Sequence, residues 1–243
     1  MIDLSKYDKS NIGKLFDHTC LGKWRTEAEI RAAAKVAVKL NTACFGTSTS
    51  YWTPVVREEL EGTDITAGIA IDFPFGASCL DAKKEDLKIG LKRGATCVDY
   101  VVNIGAFKSG FDNEVMDEAK AMIDITKSWD DKILVKAIME VAYLEDDETK
   151  RLCELLAEAG VDYAKSCSGQ FAGPTVDQVR LMDASLKGSN TKVKVAGVKA
   201  PKDVLAYTYI LAGAELIGSQ DTPMIIESLD KMRAIGLVPP FKG

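Results

Sequence analysis

The sequence predicts a (β/α)₈ TIM barrel, an α/β fold closed around a parallel sheet, with residues 1–243 forming a single domain. Three observations carry that reading. The length of 243 residues matches what one such barrel takes. Short apolar runs alternate with longer stretches of helical periodicity along the whole chain, and the units number eight. Several of the runs lack polar alternation, as parallel strands buried on both faces do. An open doubly wound sheet would use the same local signals, but no GxGxxG turn follows the first strand.

The first strand is expected at 15-LFDHT-19, followed by a helix over 26–40. In that helix Ile30, Ala33, Ala34, Ala37 and Val38 share one face, and Thr26 with Glu29 makes a capping-box pattern. The run 42-TACFGT-47 precedes a helix over 53–61, and 65-ITAGIAIDF-73 precedes one over 82–93. Next come 97-CVDYVVNIG-105 with 113–128, 133-ILVKAIME-140 with 146–159, and 161-VDYAKSC-167 with 175–186. The last two units are 193-VKVAG-197 with 201–212 and 215-ELIGS-219 with 222–235. Gly94, Gly160 and Gly213 each follow a helix, where a left-handed cap favours glycine.

Composition narrows the function. A net charge of -5 argues against nucleic acid as the main partner, because phosphate binding normally leaves a basic patch. No stretch reaches the ~18 apolar residues of a membrane span, and the N-terminus lacks a signal-peptide core. The six cysteines are scattered, without a CxxC pair, so reduced thiols in a cytoplasmic protein are expected, with no zinc site. Many barrels dimerise, and a homodimer is the expected assembly, although no surface stripe marks an interface.

In a barrel, chemistry sits at the C-terminal ends of the strands and in the loops that follow. That selects Asp17, Thr19, Cys44, Asp72, Asp99, Asn103, Lys136, Glu140, Lys165 and Lys194, with the loops from Gly169, Gly197 and Gly218. Charged residues inside apolar strands are the informative ones, since burying a charge is costly unless it is paired or used. Lys165 and Lys194 lie one β/α unit apart, so their strands should be neighbours. Two ammonium groups in one barrel mouth repel, and burial adds to that, driving one of them towards the neutral amine that attacks carbonyls. Asp99, on a third strand, can hold one lysine charged and shuttle a proton through water. A lone strand lysine is usually a snorkelling residue, and a lone aspartate its ion-pair partner. Three of them on converging strands favour Schiff-base chemistry.

The segment 161-VDYAKSCSG-169 resembles the D-[FY]-x-K-[TS]-x-[TS]-G stretch of deoxyribose-phosphate aldolases. So do 17-DHT-19, 94-GATCVDYVVNIGAF-107, 135-VKAIMEVAYL-144, 192-KVKVAG-197 and the GA…IG of 213–218, in order. The resemblance implies an imine on Lys165, with Lys194 depressing its pKa and Asp99 as acid/base partner. It implies that Asp17 and Thr19 stand near substrate hydroxyls, that Lys136 and Glu140 belong to a polar network under the site, and that no metal or cofactor is needed. The expected substrate contacts are Asp17, Thr19, Cys44, Ser168, Gly169, Gly197, Gly218 and Ser219. His18 and the thiols Cys44 and Cys167 are expected to be chiefly structural. The implied reaction joins acetaldehyde to glyceraldehyde 3-phosphate, or cleaves 2-deoxyribose 5-phosphate.

Two loops depart from the family pattern. The cradle Gly-Gly-[IV]-[RK]-[TS] is here 197-GVKAP-201, one glycine short, and Gly-[TS]-Ser is here 218-GSQD-221. Asp221 would repel a phosphate unless Lys199 or Lys202 compensates. A Schiff-base aldolase or lyase acting on a different acceptor, phosphorylated or not, is therefore a second reading, and a sugar-binding or scaffold barrel without catalysis is a third. The third has no use for a strained lysine pair.

Overall fold

The computed structural model describes residues 2–243. Eight parallel strands close into a barrel in sequence order: β1 (Phe16–Cys20), β2 (Cys44–Thr47), β3 (Thr66–Ile71), β4 (Cys97–Val101), β5 (Leu134–Ile138), β6 (Tyr163–Lys165), β7 (Lys192–Val195) and β8 (Leu216–Ser219). β1 pairs with both β2 and β8, leaving no free edge. The helices are α1 (Glu27–Lys39), α2 (Thr53–Glu59), α3 (Leu80–Lys92), α4 (Ile104–Lys108), α5 (Asp112–Trp129), α6 (Asp146–Ala159), α7 (Val176–Ser185), α8 (Lys202–Leu211), α9 (Thr222–Glu227) and α10 (Leu229–Ala234). None of them is long and apolar enough to cross a membrane.

The local signals act where the sequence places them. Thr26 caps α1 through the backbone of Glu29, whose side chain returns the bond, and Thr175 and Gln178 do the same for α7. Gly94, Gly160 and Gly213 all take positive φ. Two expectations differ by more than two residues at an element's end. The run 97–105 ends as a strand at Val101, because the Asn103 side chain accepts from the Ala106 N–H (3.1 Å) and starts α4 instead. The helix expected over 222–235 breaks at Ser228, whose hydroxyl donates to the Ile225 carbonyl (2.7 Å).

Alternation along each strand separates two environments. On β4, Val98 and Tyr100 face outward into a core shared with Leu87, Leu91, Val115 and Met122 of the helical ring. Asp99 between them reaches across the barrel interior. On β5, Val135 and Ala137 join the outer core while Lys136 turns inward. The barrel interior is thus charged where most barrels carry branched aliphatics.

One buried polar group secures the rim. Lys83 falls on the buried stripe of α3 with Leu87 and Leu91. Its ammonium donates to the carbonyls of Gly76 (2.9 Å) and Val101 (2.8 Å) and to the carboxylate of Glu118. Asp72 lies 3.6 Å away and also receives the N–H of Ser78. The ends of β3 and β4 are therefore tied to two helices. Asp72 and Asn103 serve this clamp and make no contact with the lysine pair.

Candidate active site

Register brings the expected residues together. Lys165 is the direct neighbour of Lys194 across β6 and β7, and Asp99 of Lys136 across β4 and β5. Across the barrel, Asp99 Oδ2 receives Lys165 Nζ at 2.5 Å and Lys194 Nζ at 2.8 Å. Lys194 also lies 2.7 Å from Asp17 Oδ2, and Lys136 donates to that same oxygen at 2.7 Å. Five charged side chains thus alternate in sign through the interior: Lys165, Asp99, Lys194, Asp17, Lys136. All are at most 7% exposed.

That order separates the lysines. Burial pushes the Lys165 ammonium below its ordinary value, and Lys194 adds to the push against the pull of Asp99. Burial acts on Lys194 too, but Asp17 and Asp99 together outweigh it and hold this lysine raised. Asp99 is likewise buried, and Lys165, Lys194 and Lys136 overcome the burial and hold its carboxyl well below the usual carboxylate range. The site therefore contains one amine poised to be neutral beside one held as a cation.

Two cavities open from Lys165. The smaller, of about 30 Å³, is walled by Thr19, Cys44, Gly46, Gly68, Ala70 and Asp99. The larger, of about 490 Å³, opens to solvent between the loops after β1, β6, β7 and β8. Thr19 and Lys165 border both. Ser168, Gly169, Gly197, Gly218 and Ser219 line the larger cavity, and Asp17 and Cys44 the smaller, so every expected contact residue reaches one of the two. Gly46, Gly68 and Ala70 went unnoticed in the sequence, where small residues inside a strand look like weak strand formers.

The outlying groups hold the walls. Glu140 does not lie under the site: it accepts the Ser168 N–H and fixes the loop after Lys165. Burial keeps its carboxyl above the usual value. Lys136 does lie beneath, 5.6 Å from the Tyr163 ring centre. His18 packs on Phe45 and is kept down in basicity by burial, as a structural histidine would be. Cys167 donates to the Ala196 carbonyl at 3.0 Å.

The loops after β6 and β7 meet at glycines. A side-chain carbon on Gly197 would stand 2.6 Å from Cys167 Sγ and 3.1 Å from the Gly173 Cα, and Gly197 has φ +74°. Gly197→Ala is therefore expected to cost about 2–4 kcal/mol, from left-handed strain plus the clash. Urea denaturation reads the loss, and a variant as stable as the parent would contradict this packing.

No family model matches the chain. A deoxyribose-phosphate aldolase of Clostridium novyi (strain NT) is 37% identical over 218 residues, 89% of this chain and 96% of that one. Another, from Geobacillus sp. (strain WCH70), is 35% identical over 221 residues, 90% and 96% of the two chains. Among solved structures, an aldolase designated QR15 superposes with a TM-score of 0.82 at 28% identity, covering 93% of this chain and 99% of its own. The tetrameric deoxyribose phosphate aldolase of Aeropyrum pernix shares the fold, with a TM-score of 0.83 at 23% identity over 93% of each chain.

Fold, site and relatives together define a barrel aldolase, an enzyme of the lyase class. Within that class, the chain belongs to the deoxyribose-phosphate aldolase family.

Proposed function

We infer that this chain is a class I aldolase that reversibly cleaves 2-deoxyribose 5-phosphate to acetaldehyde and glyceraldehyde 3-phosphate through an imine on Lys165. The observation that carries the reading is the buried Lys165 amine, depressed by its surroundings, where a two-atom cavity meets a sugar-sized one. A water-sized group needs about 10–15 Å³ of such space, so 30 Å³ suits the two carbons of acetaldehyde. The larger, polar cavity is of ordinary ligand size and suits the phosphorylated acceptor.

The neutral Lys165 amine attacks the aldehyde carbon, water leaves, and the iminium loses a methyl proton to become the enamine that attacks the acceptor. Lys194, held as a cation at rest, can give a proton to the departing hydroxyl and recover it through Asp99 and water. Asp99 is a poor proton acceptor while both lysines are charged. Deprotonation of Lys165 removes the strongest attraction on Asp99, and the carboxylate then becomes a competent partner for a water-borne proton.

Reduction with cyanoborohydride in the presence of acetaldehyde is expected to leave one ethyl group on Lys165 Nζ, located by peptide mass. Only the neutral amine reacts, so trapping should rise with pH through a midpoint below the ordinary lysine value of 10.5. In Lys194→Met the midpoint should move upward, because repulsion is lost and Asp99 turns wholly to Lys165. A label elsewhere, or none, would sink the imine assignment.

Assembly as a homodimer and a cytoplasmic location are part of the same proposal. Six free thiols and an exposed aromatic cluster of Phe75, Tyr143 and Phe171 are in keeping with them.

A further inference from the structure

The mouth above Lys165 contains one ion pair for which the imine chemistry has no use. Lys202 is the first residue of α8, on the loop after β7, and Asp221 precedes α9, on the loop after β8. Lys202 Nζ and Asp221 Oδ2 lie 2.5 Å apart, and each side chain is 34% exposed. Both line the larger cavity, and among its described lining residues Asp221 is the one acid. Asp221 is held in place: its N–H donates to Ser219 Oγ at 3.0 Å, and Thr222 Oγ1 donates to the Ser219 carbonyl at 2.9 Å. Lys199, the other lysine of the loop after β7, instead reaches the Phe171 carbonyl at 3.0 Å.

We propose that the Lys202–Asp221 pair is an exchangeable latch that sets how strongly the mouth prefers a phosphorylated acceptor over a neutral one. The proposal rests on the aldolase reading and deepens it. A phosphate entering this cavity must draw Lys202 away from Asp221 and tolerate the carboxylate it leaves behind. A neutral sugar leaves the pair intact. Asp221 thus works against the phosphate twice, by occupying the cation and by repelling the anion, and Lys202 contributes less than an unpaired lysine would. Lys202 lies 19 positions before its partner, so the balance is a property of two loops meeting and not of either motif.

The test uses Asp221→Asn and Lys202→Gln, with two readouts. One is the Kd for inorganic phosphate, by calorimetry. The other is the ratio of kcat/KM for 2-deoxyribose 5-phosphate to that for 2-deoxyribose. A single charge at this range in a wetted mouth shifts binding by about five-fold, less in high salt. Asp221→Asn should tighten phosphate and raise the ratio by about that factor, and Lys202→Gln should weaken and lower them. Phosphate affinity unchanged in both variants overturns the latch, whatever turnover shows. If affinities move as expected but neither sugar is cleaved, the latch stands as an anion-selecting pair and the aldolase reading falls. If both sugars are cleaved at a ratio that neither variant moves, the aldolase stands and the latch falls.

Discussion

Lys165→Leu is expected to lower aldol cleavage by roughly four to six orders of magnitude, the usual consequence of removing the covalent nucleophile. The fold should survive. Leucine has similar bulk, and Asp99 keeps Lys194 at 2.8 Å, so no buried charge is abandoned. Replacing a buried ionisable group by a well-packed apolar one is often neutral or stabilising, and the thermal midpoint should hold or rise. Turnover that survives at a tenth of the parent's rate would show that another residue forms the covalent bond.

The second large effect concerns stability. Asp17→Ala should destabilise the protein by about 3–5 kcal/mol, seen as a fall in the urea midpoint at unchanged slope. Asp17 is the carboxylate on which Lys136 Nζ rests, and Lys136 is 1% exposed. Burial disfavours the Lys136 ammonium, and Asp17 more than reverses that, leaving it well above its ordinary value. Without Asp17 the sign turns over, and a lysine with a depressed folded-state pKa gains stability as pH rises. The deficit should therefore shrink from neutral towards alkaline pH. Adding Lys136→Met to the same chain should restore most of the loss, because it removes the orphaned charge. A single variant that unfolds like the parent would mean that Asp17 supports neither lysine.

Much of this architecture was legible in the sequence, for a physical reason. One β/α unit advances one strand, so Lys165 and Lys194 had to be neighbours once their strands were recognised. Asp99 could be joined to them because it lies in a third strand of the same barrel. The contacts of Asp17 with Lys136 and Lys194 were not legible, since cross-barrel proximity depends on strand tilt and shear, which no local pattern records. The same holds for Lys83. Nothing in the sequence singled it out, because the carbonyls it serves belong to the loop after β3 and to the end of β4. Glu140 was expected beneath the lysines, with Lys136, on the family resemblance alone. The backbone turns left-handed there, at φ +50°, and directs the carboxylate to the next loop.

The alternating file of charges has a thermodynamic consequence for the reaction coordinate. With Lys165 neutral, Asp17 and Asp99 balance Lys136 and Lys194, and the five side chains together carry no net charge. Protonation of Lys165, or formation of an iminium on it, leaves one uncompensated positive charge on a buried side chain. Both the ammonium and the iminium are thus less favourable here than they would be in water. The barrel interior drives its intermediate toward the nucleophilic form by refusing to host the extra charge.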